Sequence, residues 1–184
     1  MNEADLWQQI VQTVRAEFSD LDDITELTRV TVRLCVALLL GGLIGLDRER
    51  HDSDAGLRTH MLVALGAAMF VLAPAMAGIA PNDMSRVLQG IITGIGFLGG
   101  GAIIKLSEQE KIKGLTTAAS IWLTAAVGIA AGLGREVTAI LATVLGLIVL
   151  GLLPHLEKHI PQRKRDDKPA RRRRADDANE IDQT

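Results

Sequence analysis

The chain has 184 residues, enough for one domain, and a formal net charge of −2. The charges are unevenly spread: between Val30 and Leu153 lie five long stretches almost free of them, with Arg33 the one charged side chain inside. This excludes an ordinary soluble domain, whose helices carry a polar stripe and whose buried strands run to about 8 residues. No Ser–His–Asp set, HExxH or Walker sequence appears, so no enzyme is expected.

The start, "MNEADLWQQI", is acidic and lacks a charged region followed by an apolar core, so no secretory signal is expected there. Residues 1–29 read as an extracytoplasmic lead-in. Leu6, Ile10, Val11, Val14 and Phe18 recur at helical spacing beside Trp7. They predict a short amphipathic helix, either a simple lead-in or one lying on the outer leaflet or against the bundle. Asp20, Asp22, Asp23 and Glu26 then leave that face acidic.

The charge-poor stretches are Val30–Leu46, Met61–Ile79, Val87–Ile104, Leu115–Leu133 and Val137–Leu153, each 17 to 19 residues long. That is the short end of what crosses a hydrocarbon core of about 30 Å. The expected fold is an all-α integral membrane protein, with five transmembrane helices over residues 30–156. Cys35 stands alone in the first span as a small apolar filler. Fifteen Lys and Arg fall in the 47–60 loop, the 105–114 loop and the tail, against five on the other side. The positive-inside rule then places the N-terminus out and the C-terminus in the cytoplasm.

Between the first two spans, "GLIGLDRERHDSDAGLRTHMLVALG" puts Asp47, Arg48, Glu49 and Arg50 where one helix leaves the membrane, and Arg58, Thr59 and His60 where the next enters. One reading is a hairpin held by ion pairs, Asp47 with Arg50 and Glu49 with Arg58. The other is a polar site at the cytoplasmic mouth, with Asp47 and Glu49 as cation ligands or proton acceptors. No cofactor is expected otherwise. Magnesium, which takes one or two carboxylates and keeps several waters, would find Asp47 and Glu49 here, with Asp52 and Asp54 nearby.

In the third span, Gly94-Ile-Gly96-Phe-Leu-Gly99 matches the GxGxxG of a dinucleotide turn. The apolar run continues on both sides, and no βαβ pattern surrounds it, so a phosphate cradle is excluded. Fifteen of the eighteen glycines fall in the spans, with pairs four apart at Gly41 and Gly45, Gly90 and Gly94, Gly96 and Gly100, and Gly128 and Gly132. Such spacing lets helix backbones approach in lipid. Gly99, Gly100 and Gly101 in a row permit either a helix break lining a polar site, as in transporters, or plain tight packing. Thr116, Thr117 and Ser120 open the fourth span, either capping its free N–H groups or lining a polar path towards Gly99–Gly101.

The tail, residues 157–184, is charged and without apolar periodicity, and is expected to be disordered in the cytoplasm, its basic runs near the anionic leaflet. A nucleic-acid partner is not expected, for want of aromatics or a folded module. His155 and His159, four apart, read as solvated rather than as a metal pair.

Four segments, "GGLIGLDRE", "AGLRTHMLVALGAAMF", "GIGFLGGGAII" and "KGLTTAASIWLTAAVGIAAGLG", resemble in order and spacing the MgtC/SapB family of bacterial inner-membrane proteins, over about residues 30 to 153. The resemblance implies a five-helix domain of the inner membrane linked to magnesium limitation, acid stress and, in pathogens, survival inside host cells. Members are often named as magnesium-transporter accessory proteins, and some restrain the F-type ATP synthase. Carried across residue by residue, the family motifs single out Asp47, Arg48, Glu49, Gly56, Arg58, Thr59, Gly94, Gly96, Gly99, Gly114, Thr116, Thr117 and Trp122. Position 47 is Asp where Glu is usual, Gly100 stands where Ala is common, and only a charged tail follows the fifth span, as in a short form without the soluble regulatory domain.

The function expected is therefore a regulator of other membrane proteins, associated with magnesium homeostasis and stress adaptation. The alternative is a magnesium or proton transporter or channel. By resemblance the partners are the F-type ATP synthase or a magnesium transporter, besides the bilayer itself and a homodimer through the GxxxG faces.

Overall fold

The structure, a computed structural model, describes residues 3–17, 23–104 and 114–157. The acidic stretch 18–22, the basic loop 105–113 and the tail 158–184 with His159 lie outside the described residues, as do the side chains of 152–157, His155 among them. The described residues form six helices: α1 (Glu3–Glu17), α2 (Ile24–Arg50), α3 (Leu57–Met76), α4 (Pro81–Ile104), α5 (Leu115–Gly132) and α6 (Glu136–Glu157). A separate C-terminal unit begins at Pro154. Helices α2 to α5 are long and apolar enough to cross a membrane, whereas the apolar part of α6, Glu136–Gly151, is shorter.

Local chemistry sets the helix ends. Asp23 caps α2 by accepting from the Thr25 N–H at 2.9 Å. Helices α3 and α5 both end in Schellman turns on a left-handed glycine. Gly78 and Gly134 each have φ of 73°, and the Ile79 and Arg135 N–H groups reach back to the Pro74 and Ala130 carbonyls. Pro81 opens α4, where its missing N–H leaves no orphan donor.

The centre of the bundle is α3, which lies between α2 and α5. Helix α2 runs antiparallel to it and presents Gly41 and Gly45. A methyl at Gly41 would sit 2.6 Å from the Ala64 Cβ, and one at Gly45 would sit 2.7 Å from the Leu57 Cα. Helix α5 runs parallel to α3 and presents Gly128 and Gly132 to its other side, against the Ala64 backbone, Ala68 and Val71. Around these contacts the buried core is small-residued: Ala37, Leu40 and Ile44 of α2, Ala64 and Ala68 of α3, Val127 and Ala131 of α5, Ala139 and Leu150 of α6. Lipid supplies little hydrophobic drive between helices, so backbone proximity and close van der Waals contact must supply the attraction.

Helix α4 behaves otherwise. It is helical without interruption through Gly99, Gly100 and Gly101, so of the two roles open to them the helix break does not occur. The glycines expected to pack also do not: a methyl at Gly90, Gly94, Gly96, Gly100 or Gly101 would meet nothing within 4 Å, and one at Gly99 would only touch the Ala118 Cβ at 3.6 Å. Between α3 and α4 lies an open apolar groove of about 770 Å³, lined among others by Gly66, Phe70, Gly90, Ile91 and Gly94. The four-residue glycine spacing thus serves backbone approach on α2 and α5, and lines an open face on α4.

Candidate functional site

The C-terminus of α2 and the N-termini of α3 and α5 meet at one end of the bundle, and nearly every polar residue singled out from the sequence gathers there. Asp47 and Arg48 are sequence neighbours, a spacing that ordinarily points side chains apart. Arg48 nonetheless turns inward, 6 % exposed, and its Nε and Nη2 donate to Asp47 Oδ2 at 3.0 and 2.6 Å. The expected Asp47–Arg50 pair is therefore replaced by Asp47–Arg48. His51 adds a ring contact, with Nδ1 2.7 Å from the Asp47 carbonyl.

Glu49 has a structural task. The α2–α3 turn reverses at Asp52, a non-glycine residue at φ 49°, and brings Glu49 Oε2 to accept from the Leu57 N–H at 2.8 Å. Gly56, the N-cap residue of α3, has no side chain to do this. The carboxylate also sits at the positive end of the α3 dipole. A methyl on Gly56 would lie 2.9 Å from Glu49 Oε2, so a larger residue there would push the carboxylate aside. Glu49 thus holds the α3 N-terminus and does not bridge to Arg58, and both Arg58 and Thr59 are exposed.

The two carboxylates named for magnesium do not converge, since one faces Arg48 and the other the α3 N-terminus. Among the described residues no three His, Cys, Asp or Glu side chains come together to hold a metal ion. The arrangement does not fit a metal held by this pair.

His60 is wholly buried one turn into α3. Its Nδ1 lies 2.9 Å from the Gly56 carbonyl and its Nε2 3.0 Å from Ser120 Oγ on α5. Ser120 Oγ is in turn 2.8 Å from the Thr117 carbonyl, and Thr117 Oγ1 is 3.1 Å from Ser53 Oγ in the α2–α3 turn. Thr124, the next hydroxyl on this face, donates to the Ser120 carbonyl at 2.8 Å.

The Thr117 and Ser120 hydroxyls do not cap α5, whose N-cap is Gly114 at φ 95° with no side-chain bond. Thr116 is exposed. Nor does the hydroxyl face lead to Gly99–Gly101, because α4 meets Ala118 while Ser120 faces His60. Trp122 is exposed on α5. Ser53 and Thr124 escaped the sequence reading. Thr124, four residues after Ser120 on the same helix face, carried a detectable signal; Ser53 sits in a turn whose shape the sequence does not announce.

At the opposite end Arg33 Nη1 donates to the Gly132 carbonyl at 3.2 Å, and its Nε lies 3.9 Å from Glu136 Oε1. One guanidinium thereby joins α2, the end of α5 and the start of α6.

Comparison with known proteins agrees with the motif pattern. The chain is 40 % identical over 140 residues to Protein SrpB of Synechococcus elongatus, covering 70 % of this chain and 77 % of that protein. It is 40 % identical over 131 residues to Protein MgtC of Salmonella typhimurium, covering 71 % of this chain and 55 % of that one. With Protein MgtC of Brucella abortus it shares 46 % identity over 120 residues, covering 65 % and 49 %. The chain thus spans about half the length of these MgtC relatives. No solved structure matches it. Residues 34–159 match the profile of the MgtC family, and with four membrane-length helices in that order the chain belongs to the MgtC family as a multi-pass membrane protein.

Proposed function

We propose that this is a five-span inner-membrane protein, N-terminus out and C-terminus in, that regulates other membrane proteins in magnesium homeostasis and stress adaptation. The observation that carries the reading is the contrast between the two halves of the bundle. Helices α2, α3 and α5 close on a core of alanines and glycines, while α4 leaves an open apolar groove beside α3 with Gly66, Gly90 and Gly94 along it. A groove of that kind admits a helix of a neighbouring membrane protein, since small residues let a second backbone approach. The charge distribution supports the orientation, and on this reading α6, whose apolar part Glu136–Gly151 is shorter than the other spans, is the fifth crossing. By family resemblance the partners are the F-type ATP synthase or a magnesium transporter.

The test is ATP-driven proton pumping and magnesium uptake in inverted membrane vesicles with and without the protein. The reading expects one activity to change, and Gly94→Leu, which fills the groove, to relieve the change while the protein remains folded. No effect on either activity overturns it.

A second reading, cation transport, is favoured by the buried polar run of His60, Ser120 and Thr124. Flux of magnesium or protons in proteoliposomes that Asp47→Asn abolishes would establish it.

A further inference from the structure

The hydrogen-bond inventory around His60 contains one proton too few. The Gly56 carbonyl can only accept, so His60 Nδ1, 2.9 Å away, must carry a proton and donate it. In the neutral ring Nε2 is then bare and can only accept. Ser120 Oγ stands 3.0 Å from Nε2 and 2.8 Å from the Thr117 carbonyl, two acceptors facing a hydroxyl that has one hydrogen. In the neutral state one of those two contacts is unmade. An added proton completes the set: Nε2–H donates to Ser120 Oγ, and the Ser120 hydroxyl is released to donate to the Thr117 carbonyl.

We propose that His60 is a proton-binding site, and that its occupancy sets the direction of the Ser120 hydroxyl and so couples the head of α3 to the first turns of α5. The step is a simple proton transfer. The Nε2 lone pair takes a proton from a hydronium ion, water is left behind, and the ring becomes imidazolium with nothing oxidised or reduced.

The groups around the ring come from α2 and α5. Helix α2 approaches His60 at Gly45, whose added methyl would stand 3.1 Å from the His60 Cβ. At this end of that helix the charged groups are Asp47 paired with the buried Arg48, Glu49 at the α3 N-terminus one turn away, and the exposed Arg50. From α5 the ring meets Ser120, and Thr117 and Thr124, hydrogen-bonded to Ser53 and Ser120, are the buried hydroxyls either side of it on that helix. The register of the effect is Thr117, because its carbonyl receives or loses the Ser120 hydrogen, and its own hydroxyl touches Ser53 in the α2–α3 turn. Whether the protein restrains a partner or moves an ion, a proton on His60 is felt at the turn that carries Asp47 to Arg58.

The experiment is nitrogen NMR of the full chain in lipid nanodiscs, in a variant carrying His51→Gln, His155→Gln and His159→Gln so that His60 is the sole imidazole. At alkaline pH the ring is expected with its proton on Nδ1 and a bare Nε2. Acidification is expected to protonate Nε2, with the amide signals of Ser120, Thr117 and Ile121 moving at the same midpoint. Ser120→Ala, or Ser120→Cys should the alanine variant misfold, is expected to abolish the movement at Thr117 and Ile121. A neutral ring with its proton on Nε2 would overturn the proposal, as would a ring that stays neutral until the protein unfolds. So would titration that leaves the wild-type Thr117 signal in place, or movement that persists in the Ser120 variants. The tautomer reading needs no substitution at the site itself.

Discussion

A glycine-to-alanine substitution at Gly128 and the same substitution at Gly94 should shift stability in opposite directions. Both glycines lie inside apolar helices, and both belong to pairs four residues apart. At Gly128 the new methyl would overlap the Ala64 carbonyl oxygen and stand 2.9 Å from the Ala64 carbonyl carbon and Cα, all backbone atoms that no rotamer change can move aside. Carbon contacts are optimal at about 3.5–4.0 Å, so α5 must back away from α3 by roughly 1 Å, enough to forfeit a quarter to a half of each neighbouring dispersion contact. Overpacking of this kind costs about 1–3 kcal/mol. Replacing a helical glycine by alanine returns about 1 kcal/mol. The net expectation for Gly128→Ala is a loss of up to about 2 kcal/mol. At Gly94 nothing lies within 4 Å of the added methyl, so only the propensity gain remains, a stabilisation of about 1 kcal/mol. The two variants should therefore differ by about 1–3 kcal/mol. Unfolding in mixed micelles by increasing detergent denaturant, followed by the fluorescence of Trp122 in a Trp7→Phe background, measures this directly. Gly128→Ala as stable as the parent, or Gly94→Ala less stable, would refute the assignment of packed and open glycine faces.

Glu49→Ala should cost about 1 kcal/mol by orphaning the Leu57 N–H, whereas Glu49→Gln keeps an acceptor there and most of the stability. Equal losses in the two variants by the same unfolding assay would argue against the capping role. Asp47→Asn removes the charge from the one carboxylate bonded to the buried Arg48, and should cost about 1.5–3 kcal/mol, read as a lower thermal midpoint in detergent. An unchanged midpoint would mean that Arg48 finds another partner. Gly134→Ala should lose about 1–2 kcal/mol from its left-handed backbone alone, and more because the methyl would displace the Arg33 guanidinium from the Gly132 carbonyl. If Arg33→Gln and Gly134→Ala prove fully additive in stability, the two do not act through that contact.

Four of the five expected spans were legible because absence of charge over a membrane's thickness is a strong signal, but their limits mark the bilayer rather than the helix. Helix α2 therefore begins at Ile24, before the charged Glu26 and Arg29, and α3 begins at Leu57, ahead of Arg58 and His60. Spacing also revealed that Gly90 and Gly94 share a helix face, as do Gly128 and Gly132. Which face meets a neighbour depends on the arrangement of whole helices, and that is not a local property of either pair.

The polar end was found by its residue types and misread in its pairings. Asp47–Arg48 joins adjacent residues, which helical geometry normally separates, and succeeds because Arg48 folds under the end of α2. Glu49–Leu57 spans eight residues and exists only because Asp52 takes a left-handed backbone. His60 was flagged for its position at the membrane entry. Its partner Ser120 lies sixty residues away, a closeness created by the parallel packing of α3 and α5.

That parallel packing has a consequence in time. Helix α4 precedes α5 in the chain, so during synthesis it reaches the bilayer first, while the Ala64–Ala68 side of α3 is still covered by lipid tails. Its Gly90–Gly94 pair has the same spacing as the Gly128–Gly132 pair that finally occupies that side. Spacing alone therefore does not tell the two helices apart, and what reserves that side for α5 is the close fit of Gly128 and Gly132 against Ala64 and Ala68.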